Sequence, residues 1–164
     1  REQGRQRNRG IELTANGRLT QHLNIFAGLS LLDPKLFDTG SALTDGKRIL
    51  GLSKLAFNLL AEYRLPMLPE LTVSADVAHV SERPGNNANT NMVDGYTTVD
   101  LGLRYQMDLN GQALAFRLAV DNLFDERYWA NIAPTGQNGY NAAGNGIGTL
   151  GAPRSVRLQV QVAL

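Results

Sequence analysis

Two histidines, His22 and His79, and the Ser81-Glu82 pair near the second are the groups in this sequence best suited to metal or covalent chemistry. A metal centre needs several convergent ligands. Neither histidine is accompanied by a carboxylate cluster at ligand spacing, and the chain contains no cysteine. A Ser–His hydrolase needs hydroxyl, imidazole and carboxylate on one side, whereas Ser81 and Glu82, adjacent on a strand, would project to opposite faces. The residues predict no catalytic site and no metal site.

A second set could work by charge. Glu62, Arg64, Asp76, Asp100, Arg104, Arg117 and Asp121 mix both signs and recur at even spacings within short segments. Such a set suits either contact with an apposed polar surface or a wet wall of cross-strand pairs. Aromatic and polar residues at the ends of the segments and between them form a third set. Tyr128 and Trp129, at the upper end of their strand, predict either a wall facing a bound molecule or an interfacial anchor of the kind aromatic residues provide at headgroup depth, with Trp129 the stronger anchor. Tyr140, in a Gly/Asn-rich stretch, is the leading ligand contact, and Arg83, Asn86 and Asn87 are further candidates for an anionic or carbonyl-rich ligand.

The elements that must carry these residues alternate with period two. Thr97, Val99, Leu101, Leu103, Tyr105 and Met107 oppose Thr98, Asp100, Gly102, Arg104 and Gln106. Leu114, Phe116, Leu118 and Val120 repeat the pattern, as do Val156, Leu158, Val160, Val162 and Leu164. Leu19–Leu31, Leu55–Leu65 and Leu71–Val80 read as strands, and Ile11 and Leu13 as part of a first one, giving seven. Each has one apolar and one polar face.

Three predicted connections are short: Asn16-Gly17-Arg18, Pro66–Glu70 and Asp108–Gly111. They alternate with three long ones, Asp33–Gly51, Arg83–Val93 and roughly Ala130–Pro153. An up-and-down antiparallel sheet then carries its short turns at one rim and its long loops at the other, the pattern of outer-membrane barrels. Runs of about 10 to 13 residues suit a tilted membrane strand better than a soluble one. A soluble β-sandwich shares the alternation but explains neither feature.

Bulk properties agree. A length of 164 residues with 43% hydrophobic content supports one ordered domain, and a net charge of +1 gives no electrostatic case for nucleic acid. No apolar run reaches the roughly 18 residues of a spanning helix, and the slightly negative mean hydropathy is compatible with barrel strands whose faces average out. The opening Arg1-Glu2-Gln3-Gly4-Arg5 carries no signal-peptide apolar region, so either the chain is cytosolic or the gene product starts upstream.

Four segments resemble the TonB-dependent siderophore receptor family: Gly4–Leu13 (GRQRNRGIEL), Val120–Trp129 (VDNLFDERYW), Gly151–Arg154 (GAPR) and Asp94–Leu101 (DGYTTVDL). The resemblance covers essentially the whole chain. It implies an all-β fold, an antiparallel up-and-down transmembrane segment of about seven strands from a 22-stranded plugged barrel, with residues 1–164 forming the C-terminal part of the barrel domain. It further implies a bacterial outer-membrane location, a ferric siderophore as the transported ligand rather than any covalently bound cofactor, and energy from TonB through an N-terminal region outside this chain. Such receptors are not enzymes. The mixed-sign set would then face the plug or a ligand path, and lipid would meet the apolar face. Arg1, Arg5, Arg7 and Arg9 are candidates for lipopolysaccharide phosphates. Family members end in an aromatic residue where this chain has Leu164, which implies less efficient insertion. Other expectations are a structural outer-membrane barrel without transport and a soluble β-fold binding module.

Overall fold

A computed structural model describes residues 4–135 and 143–162. The chain forms β1 (Arg5–Arg18), β2 (Leu23–Phe37), β3 (Leu55–Arg64), β4 (Leu71–Val80), β5 (Arg83–Pro84), β6 (Met92–Val93), β7 (Tyr96–Leu109), β8 (Gln112–Asp121), β9 (Trp129–Ala133), β10 (Ile147–Leu150) and β11 (Ser155–Val162). Seven of them make one antiparallel sheet in the order β1-β2-β3-β4-β7-β8-β11. The other four form two small hairpins, β5–β6 and β9–β10, inside long connections. The expected seven-stranded meander is present, and the long connections carry structure of their own.

Pairing aligns the two faces across the sheet. Ile25, Ala61, Ala75, Leu101, Val120 and Val156 make one transverse apolar row, and Leu23, Tyr63, Val73, Leu103, Leu118 and Leu158 the next. A register slip of one residue would exchange the faces of a whole strand, so the shared alternation is what locks the strands together. Tyr63 and Tyr105 lie on the apolar face near the short-turn rim. Near the other rim Phe57 stacks on His79, with centroids 5.4 Å apart. The paired rows Leu71–Tyr105 and His79–Thr97 are eight positions apart, about 21 Å at ~3.4 Å per residue and a tilt of ~40°. That matches an apolar band about 25 Å tall flanked by aromatic girdles.

Three expectations are corrected. Asn16, Gly17 and Arg18 are not a turn but pair with Phe26, Ile25 and Asn24. The chain reverses at Leu19–His22, where the Thr20 hydroxyl accepts the N–H groups of His22 and Leu23 at 3.2 and 3.1 Å, so this strand begins at Leu23 rather than Leu19. Asp33–Phe37 is strand rather than loop, because β1 extends up to Arg5 and pairs along its whole length. The chain past Asp121 leaves the sheet, so Tyr128 is in a connection and Trp129 opens a separate hairpin instead of extending the strand. The Asp108–Gly111 turn holds as expected: Asn110 and Gly111 take φ of 55° and 83°, the two left-handed residues of a tight hairpin.

The sheet has no core of its own. Among the described residues, the buried apolar side chains Leu36, Leu50, Ala88 and Ile132 all belong to the long connections or the top of β2. On the sheet, Leu158 remains 74% and Leu13 59% exposed. Apolar surface of that extent is stable only against lipid or protein, and unpaired sheet edges are not tolerated in a bilayer.

Candidate functional site at the long-loop rim

The three long connections, 38–54, 81–95 and 122–154, converge at one rim and are joined by asparagine side chains. Asn89, at φ 56°, accepts the Arg48 N–H at 2.8 Å and donates to the Arg48 carbonyl at 2.9 Å. Its amide thereby substitutes for a neighbouring strand. Asn87 accepts the Leu50 N–H at 3.1 Å. Asn86 donates to the Thr90 hydroxyl at 2.9 Å and to the Asn145 side-chain Oδ1 at 3.3 Å, and accepts the Thr90 N–H at 3.0 Å. These amides satisfy backbone groups that no strand reaches, as buried polar groups must be satisfied.

Glycines permit the closest approaches. Gly51 has φ +79°, and a Cβ there would lie 2.1 Å from the Ile132 carbonyl oxygen. Its N–H donates to Pro84 O at 2.8 Å, while the Gly146 N–H donates to Gly85 O at 2.9 Å. Arg83 is buried and donates to the carbonyls of Trp129 and Ala130, and its guanidinium lies 5.7 Å over the Tyr96 ring.

Between the two hairpins lies a cleft of about 570 Å³ whose walls include Asn91, Asp94, Arg127, Tyr128, Trp129 and Asn145. Of its lining residues, Tyr128 stacks on Tyr96 with centroids 4.1 Å apart. The Tyr128 ring lies on Gly151, where a Cβ would come within 2.2 Å of it. Burial, then proximity to Tyr96 and Asp100, pushes the Tyr128 phenol above its ordinary range, so it stays a neutral donor. The cleft offers amide and phenol hydrogen bonds, a guanidinium, two carboxylates and flat apolar faces. That inventory suits binding a polar chelate with flat faces.

The candidate residues separate accordingly. Tyr128 and Trp129 line the cleft. Arg83 and Asn86 are buried between connections: the terminal nitrogens of Arg83 and the amide of Asn86 are engaged by protein, and the buried Arg83 Nε has no partner among the described residues. Tyr140 lies outside the described residues. Sequence reasoning missed Asn91, Asn145 and Arg127, which line the cleft, and Tyr96, on which Tyr128 stacks. The clustered asparagines from Asn86 to Asn91 were the available signal, since such a density of one amide in a loop exceeds what turns need.

The mixed-sign set occupies the polar face in rows. Arg64, Thr72, Arg104, Arg117 and Gln159 share one row toward the short-turn rim. Glu62 is in the row above with Ser74, Gly102, Ala119 and Arg157. One row further, Asp76 and Asp100 are direct partners. Asp121 accepts from Arg157 at 2.8 Å and from Ser155 at 3.0 Å. Arg104 beside Arg117 and Asp76 beside Asp100 are like-charge neighbours, which destabilise a sheet unless something else compensates.

A family model described as TonB dependent receptor-like, beta-barrel matches residues 1–123. The chain is 31% identical over 159 residues to the ferrichrome receptor FcuA of Yersinia enterocolitica, covering 97% of this chain and 20% of the relative. It is 32% identical over 130 residues to the probable TonB-dependent siderophore receptor PiuA of Acinetobacter baumannii, covering 73% and 17%. Among solved structures, the ferric preacinetobactin receptor BauA of Acinetobacter baumannii superposes with a TM-score of 0.82 at 32% identity, over 97% of this chain and 22% of that one. The chain thus spans about a fifth of the length of these relatives.

Proposed function

The chain belongs to the TonB-dependent receptor β-barrel family, and on that premise we propose that it is a C-terminal stretch of barrel in a receptor importing ferric siderophores. The family is one of outer-membrane β-barrels. Residues 1–164 supply seven staves, and the plug and the earlier strands belong to the rest of the receptor. The ferric siderophore is cargo, not a resident cofactor, and the receptor performs no catalysis. Energy reaches it from TonB through a region outside this chain.

One observation carries this reading: a seven-stranded sheet with an apolar face, a charged face and almost nothing buried on either. The apolar face meets membrane lipid. The charged face, with like charges paired at Asp76–Asp100 and Arg104–Arg117, meets a plug whose own charges offset them, and Glu62, Arg64 and Asp121 extend that contact. At the rim, Tyr128 and Trp129 with Asn91 and Asn145 touch the incoming chelate. Arg83 and Asn86 hold the loops in place, and Tyr140 belongs to the same ligand-contacting connection. Two relatives, one a ferrichrome receptor and one a ferric preacinetobactin receptor, support a siderophore ligand.

The test is iron uptake by the full-length receptor in a host lacking its own receptors, with a panel of hydroxamate, catecholate and mixed chelates. Uptake of at least one chelate that stops when TonB is deleted is the expected result. Outer-membrane residence without uptake of any chelate would leave a structural barrel instead.

A further inference from the structure

The cleft between the two hairpins is poor in positive charge. Its described walls hold two carboxylates, Asp94 and Glu126, against one guanidinium, Arg127. The sequence around them adds no further charge: none lies between Pro84 and Val93, and none from Ala130 to Pro153. Two other cations of the rim are committed to the protein. Arg83 is buried with its terminal nitrogens on the carbonyls of Trp129 and Ala130, and Arg48 donates to Glu82 at 2.9 Å.

The hydrogen-bond donors of the cleft are mostly neutral. Asn145 Oδ1 accepts from Asn86 and from Asn91, each at 3.3 Å. Those two bonds fix the amide, and its Nδ2 is the end left without a partner among the described residues. Tyr128 adds a phenol on a ring seated against Gly151. Neutral N–H and O–H groups bind carbonyl-type oxygens, but a multiply charged anion calls for arginine or lysine. Ferric chelates divide on this property. Three hydroxamates, each singly deprotonated, balance the charge of Fe(III), whereas three catecholates, each doubly deprotonated, leave a trianion.

We propose that the cleft selects ferric chelates without net negative charge, the ferric trihydroxamates, and that Asp94 and Glu126 exclude ferric tris-catecholates. The inference rests on the receptor reading above and narrows its ligand. Asn145 and Tyr128 donate to hydroxamate oxygens, the Trp129 ring covers the carbon linkers, and the two carboxylates repel a trianion. Coulomb contributions add, so these walls exert the same bias whatever charges line the rest of the mouth.

The test is binding to the full-length receptor, purified in detergent and followed by quenching of tryptophan fluorescence at ~0.1 M salt. The probes are a neutral ferric trihydroxamate, a ferric trihydroxamate bearing one free ammonium, and a ferric tris-catecholate. Both trihydroxamates should bind at least about tenfold more tightly than the tris-catecholate. In the double variant Asp94→Asn/Glu126→Gln, the tris-catecholate should gain about tenfold and the ammonium probe lose a few-fold, with the neutral probe unchanged. Arg127→Gln should instead widen the gap. The side chains of Asp94 and Glu126 are exposed and form no ion pair among the described residues, so the isosteric variant leaves the fold intact. Tightest binding of the tris-catecholate, or its unchanged affinity in the folded double variant, would overturn this proposal and leave the receptor reading standing. Binding of none of the three probes would overturn both.

Discussion

The Asp100 carboxylate accepts the backbone N–H of Asn122 at 2.7 Å, tying the middle of the sheet to the first residue beyond β8. Asn122 has φ 50° and is buried, and its side chain is fully used: Nδ2 donates to the carbonyls of Glu126 and Ala152 at 2.9 and 3.0 Å, and Oδ1 accepts the Glu126 N–H at 2.9 Å. Asp125 then accepts the Arg154 N–H at 3.0 Å. The Asn-Leu-Phe-Asp segment is therefore a clasp between β7, β8 and the start of β11.

Replacing Asn122 by alanine removes three side-chain hydrogen bonds and leaves the Glu126 and Ala152 carbonyls without these donors. The expected loss is about 2–4 kcal/mol, read as a lower urea midpoint for the refolded full-length receptor. Asn122→Asp keeps the acceptor for Glu126 N–H but loses both donations, and should be destabilised nearly as much.

Gly151 carries the Tyr128 ring, so Gly151→Ala should push the ring off its stack with Tyr96. We expect ferric-siderophore affinity, measured by fluorescence quenching on the full receptor, to fall about tenfold, since a displaced aromatic stack and a lost contact together are worth ~1–2 kcal/mol. Tyr128→Phe, which keeps the ring, should retain the stack and lose only the phenol hydrogen bond. Unchanged affinity in Gly151→Ala would remove Tyr128 from the ligand site.

Asn89 joins the first long connection to the second through both Arg48 backbone groups. In Asn89→Ala the 38–54 segment should open, and protease added to intact cells should cut it faster by about tenfold, as expected for the loss of two hydrogen bonds. Outer-membrane abundance should be unchanged, because the sheet is not involved.

The two faces of β7 predict opposite responses to the same substitution. Leu101→Lys puts an ammonium at mid-height in the apolar row and should cost about 2–4 kcal/mol, visible as reduced folded receptor in the membrane. Thr98→Lys, on the polar face of the same strand, should cost less than about 1 kcal/mol. Equal effects would contradict the assignment of the apolar face to lipid.

Alternation and connection length determined much of this protein. Leu101, Leu103 and Tyr105, and their counterparts on six other strands, state which face of each strand is apolar, because a period of two has one structural meaning, and the short turns between them state that neighbours are antiparallel. Strand ends and site membership depended on partners. Asn16-Gly17 looks like a turn, yet continued pairing with β2 absorbs it into a strand and moves the reversal to Thr20. Arg7 and Arg9 carry no apolar alternation, and only the register with Lys35 and Asp33 places them on the outer wall. Arg83 and Asn86 look like solvated loop residues until three connections, distant in sequence, close over them. The periodic pattern is a property of each strand by itself and is written in its residues, whereas burial in a loop assembly is a property of segments up to about a hundred residues apart, and no one of those segments records where the others come to rest.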